Sequence, residues 1–216
     1  MNAEIARRNM VDCQLRTNRV TGEAVLAAFE SVPRERFVPS SRRAVAYVDD
    51  DIEIAPGRFL MEPMIFARLV QEATIRAGDV AMVIGCNLGY SVAILSRLAD
   101  TVVAIEQDPD LAARANSLLR EFGADNVAVF QAPHAEGYPK QAPYDAILID
   151  GAVDYVTATL FDQLAEGGRL VAVRRPGPVG EATLFLKVGG VISERTLFDA
   201  AIPILPGFEQ RPEFAF

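Results

Sequence analysis

A glycine turn between two short apolar runs constrains the fold of this chain more than any other feature. Residues 80–84 lead into Gly85 and Gly89, residues 90–98 have helical spacing, and residues 102–106 form a second apolar run that ends on Glu106. The carboxylate follows the first glycine by about 20 residues. Such a strand–turn–helix–strand unit is typical of a parallel α/β sheet that binds an adenosine cofactor, with the acidic residue accepting from the ribose hydroxyls.

The same alternation continues along most of the chain. Unbroken apolar strands that alternate with helices of about a dozen residues predict a doubly wound, mostly parallel α/β sheet. Two apolar runs joined by a pair of glycines then predict a C-terminal antiparallel hairpin. The further strands are predicted at residues 127–131, 146–150, 170–174, 182–188 and 191–198, and the helices at residues 3–16, 23–32, 41–47, 64–76, 109–122 (with Gly123 after its end) and 156–164 (closed by Gly167 and Gly168).

We expect one domain over residues 1–216. Residues 1–62 form an N-terminal extension of helices and loops, which ends with an acidic extended segment at residues 49–57. Residues 63–175 form the α/β cofactor core, and residues 176–216 form the hairpin and a tail. The tail is apolar and rich in proline from residue 202 onward, and we expect it to cover an edge of the chain's own sheet.

Composition excludes several classes of function. The formal net charge of −8 gives the chain no electrostatic reason to bind nucleic acid or an anionic membrane surface. No apolar run approaches the roughly 20 residues that span a bilayer. Two cysteines and one histidine argue against a disulfide framework or a zinc site and favour a reducing cytoplasm. The arginines near the start are interpreted as a solvated helical face, with a patch for an acidic substrate as the alternative.

Seven motifs in a fixed order resemble the protein-L-isoaspartate O-methyltransferase family. The resemblance runs from about residue 8 to residue 174 and implies a class I S-adenosylmethionine-dependent methyltransferase with a Rossmann-like fold. It also implies S-adenosyl-L-methionine as the cofactor and, as substrate, a peptide or protein that carries isoaspartate. The motifs are RRNMVDCQLR (7–16), VPRERFVP (32–39) with Ala46 and Tyr47, the acidic segment (49–54), Gly57 to Pro63, the glycine turn with Glu106, APYDAILID (142–150) and LAEGGRLV (164–171).

The resemblance also implies the residues of the site. Glu106 would accept from the ribose, Gln107 would border adenine, and His134 would offer adenine a hydrogen bond, with an exposed loop position as the alternative for the histidine. Asp150, or Glu62, would hold the cofactor's ammonium group. The remaining predicted residues are Gly85, Cys86, Asn87 and Gly89 in the turn, and Met61 with Glu62 at the position that orients cofactor and substrate.

The chain departs from the family pattern at positions that face the ligand. Asn87 replaces a glycine and Val83 an acidic residue, and the run from Ala132 to Ala135 lacks the family's aspartate. Asn tolerates a positive φ, so the backbone path of the turn can be kept. Met61 stands at a serine position and cannot donate a hydrogen bond. We therefore assign no catalytic residue, and Cys86 has no partner base that would make it a nucleophile.

Three hypotheses about the function follow from the sequence. The first is a methyltransferase of the isoaspartyl type, which acts on a carboxylate that is ionised at neutral pH and needs no general base. The second is a catalytically inactive relative that keeps the fold as a binding or scaffold module. A nicotinamide-dependent dehydrogenase is the third, and it fails on the spacing of the glycines.

Overall fold

The computed structural model describes residues 2–177 and 179–209, in which helical segments precede and flank a seven-stranded sheet. The helices are α1 (Ala3–Met10), α2 (Glu23–Ser31), α3 (Pro63–Ala73), α4 (Tyr90–Leu95), α5 (Pro109–Phe122) and α6 (Ala158–Asp162). The strands are β1 (Ile52–Ala55), β2 (Arg58–Leu60), β3 (Val80–Ile84), β4 (Thr101–Glu106), β5 (Val127–Gln131), β6 (Tyr144–Val153), β7 (Leu164–Arg174), β8 (Glu181–Val188) and β9 (Val191–Asp199). Short π- or 3-10-helical turns lie at Val11–Leu15, Arg16–Asn18, Arg34–Phe37, Ser40–Val45, His134–Glu136 and Pro139–Gln141.

The large sheet confirms the predicted fold class. Its strand order is β5-β4-β3-β6-β7-β8-β9, with parallel pairing from β5 to β7 and antiparallel pairing from β7 to β9. The chain winds from β3 toward β5 on one side and then returns to place β6 on the other side of β3. The carboxyl ends of β3, β4 and β6 therefore meet at a topological switch point, where doubly wound sheets place their ligand site.

Apolar side chains bury both faces of this sheet. On one face, the rings of Phe29, Phe66 and Tyr90 pack together, with centroids 5.3 Å to 6.3 Å apart. On the other face, Leu160 of α6 and two residues near the C-terminus, Leu205 and Phe208, belong to a second buried cluster. The second cluster thus draws the end of the chain onto the sheet.

Local sequence signals fix the ends of α5, and Gly123 ends it as predicted. Asp108 caps the helix by accepting from the amides of Asp110 and Leu111, Pro109 fills the first turn, and Gly123 ends the helix at a φ of 78°. The predicted helix at residues 109–122 is confirmed at both ends.

Side chains end two other helices earlier than the periodicity predicted. Thr17 Oγ1 donates to the carbonyl of Cys13 (2.6 Å), and Asn18 donates to Gln14 (2.8 Å), so the single helix predicted over residues 3–16 changes into π- and 3-10-helical turns after Met10. Helix α3 ends at Ala73 rather than at residue 76. There the side chain of Arg169 donates to the carbonyls of Ala73 and Thr74.

The glycine pair at residues 167 and 168 does not close α6, so this prediction was wrong. Helix α6 ends at Asp162, and both glycines lie inside β7, where the pairing with β6 shifts register. A Cβ on Gly168 would lie 2.7 Å from the carbonyl oxygen of Ala165. The glycine therefore serves a tight irregularity of the strand, and not a helix cap.

The described part of the C-terminal tail, residues 202–209, does not cover a sheet edge, which corrects a second prediction for that part. Residues 202–208 lie over the carboxyl ends of the central strands, with Ile204 in a parallel bridge to Ala152 of β6. Residues 210–216, the rest of the predicted tail, lie outside the described residues. Among the described residues, no helix is long and apolar enough to cross a bilayer.

We predict that Gly180→Ala destabilises the protein by about 1–3 kcal/mol. Gly180 precedes β8, and its added Cβ would lie 2.3 Å from the carbonyl oxygen of Ala200, a backbone atom that cannot rotate away. Urea unfolding measures the change. The matched control is Gly177→Ala, whose Cβ would meet no atom within 4 Å. Equal stability of the two variants would contradict the prediction.

Candidate functional site

The predicted cofactor-binding residues of the turn, β4 and β6 converge at the switch point. Strand β3 ends at Ile84 and β4 ends at Glu106, while β6 passes through Asp150 beside them. The amide of Gly85 donates to the carbonyl of Ile105 (2.9 Å), which holds the glycine turn against the end of β4. We refer to this region as the switch-point site.

The glycine turn keeps its backbone path although Asn87 replaces a glycine. Gly85, Asn87 and Gly89 have φ values of 77°, 55° and 96°, in the left-handed region. The prediction that Asn adopts a positive φ here is confirmed. Its Nδ2 donates to the carbonyl of Phe59 (3.0 Å), so the side chain ties the turn to β2 and does not face an open cleft.

All acceptor positions of Glu106 are used within the chain. The guanidinium of Arg58 donates to both carboxylate oxygens, at 2.6 Å and 2.7 Å. The amides of Asn87 (2.9 Å) and Asp108 (3.1 Å) donate as well. A carboxylate offers about four lone-pair positions, and these four donors fill them. No acceptor is left for the ribose hydroxyls that the sequence predicted as partners of Glu106.

The ion pair between Arg58 and Glu106 is buried, with side-chain exposures of 7% and 0%. Burial raises the pKa of Glu106, but the hydrogen bonds and the positive charge of Arg58 outweigh burial and bring that pKa down to about 2. The carboxylate is therefore ionised at neutral pH. A buried charge of this kind is tolerated because it is paired and fully hydrogen-bonded.

His134 is fully buried and connects the switch-point site to the C-terminal residues, so the alternative of an exposed loop histidine was wrong. Its Nε2 accepts from the amide of Gln107 (3.2 Å), which assigns the ring proton to Nδ1. Nδ1 in turn donates to the carbonyl of Pro206 (2.8 Å). Both ring nitrogens that could serve an adenine already have partners in the chain.

Cys86 and Asp150 are buried beneath the same site. Burial raises the pKa of the Cys86 thiol well above its ordinary value, which disfavours the thiolate and fits the prediction that Cys86 is not a nucleophile. Burial likewise raises the pKa of Asp150 to about 6. An ammonium group held by Asp150 would have to reach a carboxyl group that is 3% exposed.

Met61 and Glu62, predicted to orient the substrate, have different surroundings. Met61 is 1% exposed and packs in the hydrophobic core, so its side chain does not line the site and its predicted role is corrected to packing. Glu62 lines a cavity of about 490 Å³ together with Asp50, Asp51 and Arg175. Burial and the neighbouring aspartates raise the pKa of Glu62 to about 7.

S-adenosyl-L-methionine does not fit the switch-point site as the structure describes it. The free volume bounded by Arg58, Asn87, Asp150 and residues 202–206 is about 10 Å³, room for about one water molecule. Small-molecule sites measure roughly 300–1,000 Å³. A cofactor can enter only where Arg58 and the C-terminal residues withdraw.

Sequence reasoning missed Arg58 and Leu205, the two side chains that fill the site. Arg58 precedes its partner Glu106 by 48 positions, and Leu205 lies in a segment without periodicity. Arg58 lies inside the Gly57–Pro63 motif, but the resemblance assigned it no role, and Leu205 lies outside every motif. The one available signal was a pair of replacements in the turn region, Val83 for an acidic residue and Asn87 for a glycine, which indicated that the ligand-facing surface had changed.

Comparison with known proteins places the chain among isoaspartyl methyltransferases. Residues 6–188 match the family Protein-L-isoaspartate(D-aspartate) O-methyltransferase (PCMT). The chain is 37% identical over 185 residues to Protein-L-isoaspartate O-methyltransferase 2 of Anaeromyxobacter sp. (strain Fw109-5), covering 86% of this chain and 75% of that protein. It is 36% identical over 202 residues to Protein-L-isoaspartate O-methyltransferase of Gloeobacter violaceus, and the alignment covers 90% of this chain and 96% of that protein.

Solved structures share the fold. A protein-L-isoaspartate O-methyltransferase structure superposes with a TM-score of 0.83 at 23% identity, covering 94% of this chain and 67% of that one. A Plasmodium falciparum structure described by the same activity, in complex with S-adenosyl-L-homocysteine, superposes with a TM-score of 0.80 at 18% identity. The superposition covers 93% of this chain and 98% of that one. At these identities the likeness concerns the fold alone.

We predict that Arg58→Met destabilises the protein by about 3–5 kcal/mol, because it leaves Glu106 as an uncompensated buried charge. Adding Glu106→Gln to that variant recovers part of the loss, since the unpaired charge is then gone. Urea unfolding at pH 7 measures both. The matched control is Arg36→Met, which breaks an exposed ion pair with Glu121 (3.5 Å) and costs at most about 1 kcal/mol. Equal losses for Arg58→Met and Arg36→Met would refute the claim.

We predict opposite pH dependences for two carboxyl groups. The pKa of Glu106 is lower in the folded state (about 2) than its ordinary 4.5, so its stabilisation is present above pH 4.5 and is lost as the pH falls toward 2. The pKa of Glu62 is higher in the folded state (about 7), so its contribution declines as the pH rises from 4.5 to 7. The urea concentration at the midpoint of unfolding, measured between pH 3 and pH 8, tests this. Glu106→Gln should reduce the dependence of that midpoint on pH below pH 4.5, and Glu62→Gln should reduce it between pH 4.5 and pH 7. The same change in both variants would contradict the assignment.

Proposed function

Because the chain belongs to the protein-L-isoaspartate O-methyltransferase family, we propose that it is an S-adenosyl-L-methionine-dependent methyltransferase that methylates the carboxylate of isoaspartyl residues in damaged proteins. The observation that carries the proposal is the family match over residues 6–188, which includes both glycines of the turn and Glu106 at the end of β4. The predicted cofactor residues lie together at the switch point of the sheet, where this fold binds its ligands.

Binding and alignment, not proton transfer, carry such a reaction in this proposal. The substrate carboxylate is ionised at neutral pH and requires no general base. Positioning alone supplies roughly 7–11 kcal/mol in well-oriented systems. The acidic cavity beside Glu62 opposes an anionic substrate, and the pKa of about 7 reduces that opposition because part of the Glu62 population is neutral near pH 7.

The proposed partners follow from the same chemistry. The substrate is a peptide or protein segment that presents an isoaspartyl carboxylate. The net charge of −8 disfavours nucleic acid and anionic membranes as partners. Both cysteines, Cys13 and Cys86, are free thiols, which suits a reducing cytoplasm.

A second candidate function is a catalytically inactive member of the family that serves as a binding or scaffold protein. The observation that favours it is the filled switch-point site, in which Arg58 takes the acceptors of Glu106 and about 10 Å³ remain. The two candidates differ in one respect that can be measured, namely whether the cofactor binds at all.

We expect methyl transfer from labelled S-adenosyl-L-methionine at millimolar concentration to an isoaspartyl peptide, and none to the same peptide with normal aspartate. The aspartyl peptide is the matched control because it differs only in the position of the peptide bond. Calorimetric titration with S-adenosyl-L-homocysteine checks binding separately. Absence of both binding heat and methyl transfer, in the wild type and in Leu205→Ala, would favour the inactive member.

A further inference from the structure

A short C-terminal segment, Ile202 to Phe208, is hydrogen-bonded along the carboxyl end of β6, and we call it the strap. The amide of Ala152 donates to the carbonyl of Pro203 (3.1 Å), and the amide of Leu205 donates to Ala152 (2.8 Å). The amide of Asp154 donates to the carbonyl of Phe208 (3.1 Å). The strap is thus held by backbone bonds and ends on a phenylalanine that is fully buried.

Leu205 fills the space directly over the glycine turn. A Cβ built on Gly85 would lie 2.6 Å from the Leu205 side chain, and one built on Gly151 would lie 2.9 Å from its Cβ. Leu205 is 3% exposed and belongs to the buried cluster on that face of the sheet. The two glycines, whose lack of a side chain would admit a ligand, here admit a leucine from the same chain.

The strap also contacts the residues that were predicted to meet adenine. The carbonyl of Pro206 accepts from Nδ1 of His134 (2.8 Å). A Cβ on Gly207 would lie 3.3 Å from Oε1 of Gln107. The strap therefore contacts two residues of the nucleoside end, beside a cavity of about 220 Å³ that Gln107, Gln131, Ala132 and Pro133 line, while Arg58 covers the predicted ribose acceptor Glu106.

The family match ends at residue 188, before the strap begins. The glycine turn, Glu106 and Arg58 lie inside the matched region, and the strap lies beyond it.

From these contacts we infer that Arg58 and the strap are an internal occupant of the cofactor site, so that docking of the strap and binding of an adenosine cofactor exclude each other. This inference rests on the same site as the proposed function, but it concerns binding and not turnover. The apparent affinity for the cofactor equals the intrinsic affinity multiplied by the fraction of molecules in which the strap is undocked.

The test is Leu205→Ala, which removes the side chain over Gly85 and leaves the full chain otherwise intact. We expect this variant to bind S-adenosyl-L-homocysteine roughly tenfold or more tightly than the wild type in calorimetric titration, because the docked state is weakened. The matched control is Leu164→Ala, which removes the same kind of side chain from the same buried cluster. Leu164 lies at the amino end of β7, whereas the strap lies at the carboxyl ends of the strands. This control should leave the affinity unchanged.

Hydrogen exchange gives a second readout that needs no activity. The amide of residue 205 donates to the carbonyl of Ala152. This amide should exchange faster in Leu205→Ala than in the wild type, and faster in either protein once it is saturated with S-adenosyl-L-homocysteine. If circular dichroism shows that Leu205→Ala does not fold, Leu205→Val removes less of the side chain and should raise the affinity for S-adenosyl-L-homocysteine in the same direction.

Two results would overturn the inference. One is a folded variant that binds S-adenosyl-L-homocysteine no more tightly than the wild type. The other is a ligand-saturated protein whose strap amides stay protected. If the variant instead gains affinity but transfers no methyl group to an isoaspartyl peptide, the inference stands and the proposed function falls.

Discussion

The ion pair between Arg58 and Glu106 is the interaction on which the switch-point site depends. A carboxylate at the end of a buried strand is stable only with charged or hydrogen-bonding partners. Here a guanidinium supplies two of these partners, at 2.6 Å and 2.7 Å, and backbone amides supply the other two. The same pair anchors the β1–β2 hairpin to the sheet. Glu106 therefore joins elements of the fold, in the position where the family resemblance predicted a ligand contact.

Several departures from the family pattern become consistent once the site is closed. Val83 is fully buried, and a carboxylate in its place would need a partner that a closed site does not offer. Met61 contributes to the core, while its carbonyl accepts from the buried Arg34 (2.8 Å). Asn87 keeps the left-handed turn and uses its side chain to bind β2. Val83 and Met61, which stand at positions that are polar in the family pattern, have become packing residues.

The sequence predicted what depends on local pattern. The strands at residues 80–84 and 127–131 and the helix at residues 109–122 have the predicted bounds, because periodicity and capping residues act over a few positions. The occupants of the site could not be predicted in this way. Arg58 meets Glu106 only after the hairpin folds onto β4, and Leu205 meets Gly85 only after the hairpin of β8 and β9 has returned the chain to the sheet. Gly167 and Gly168 were misplaced for the related reason that a glycine pair suits a helix end and a strand irregularity equally.

Closure of the site links stability to ligand binding. Separating a buried ion pair leaves uncompensated charges, so any cofactor must replace the contacts of Arg58 and Glu106 before it gains its own. Binding affinity is then the difference between two sets of interactions with the same carboxylate. Each contact that strengthens the closed fold at Glu106, Gly85 or His134 weakens cofactor binding by the same free energy. A chain that evolves toward a more stable switch-point site therefore moves away from methyl transfer without any change to its strand order, so the family's fold persists whether or not the reaction does.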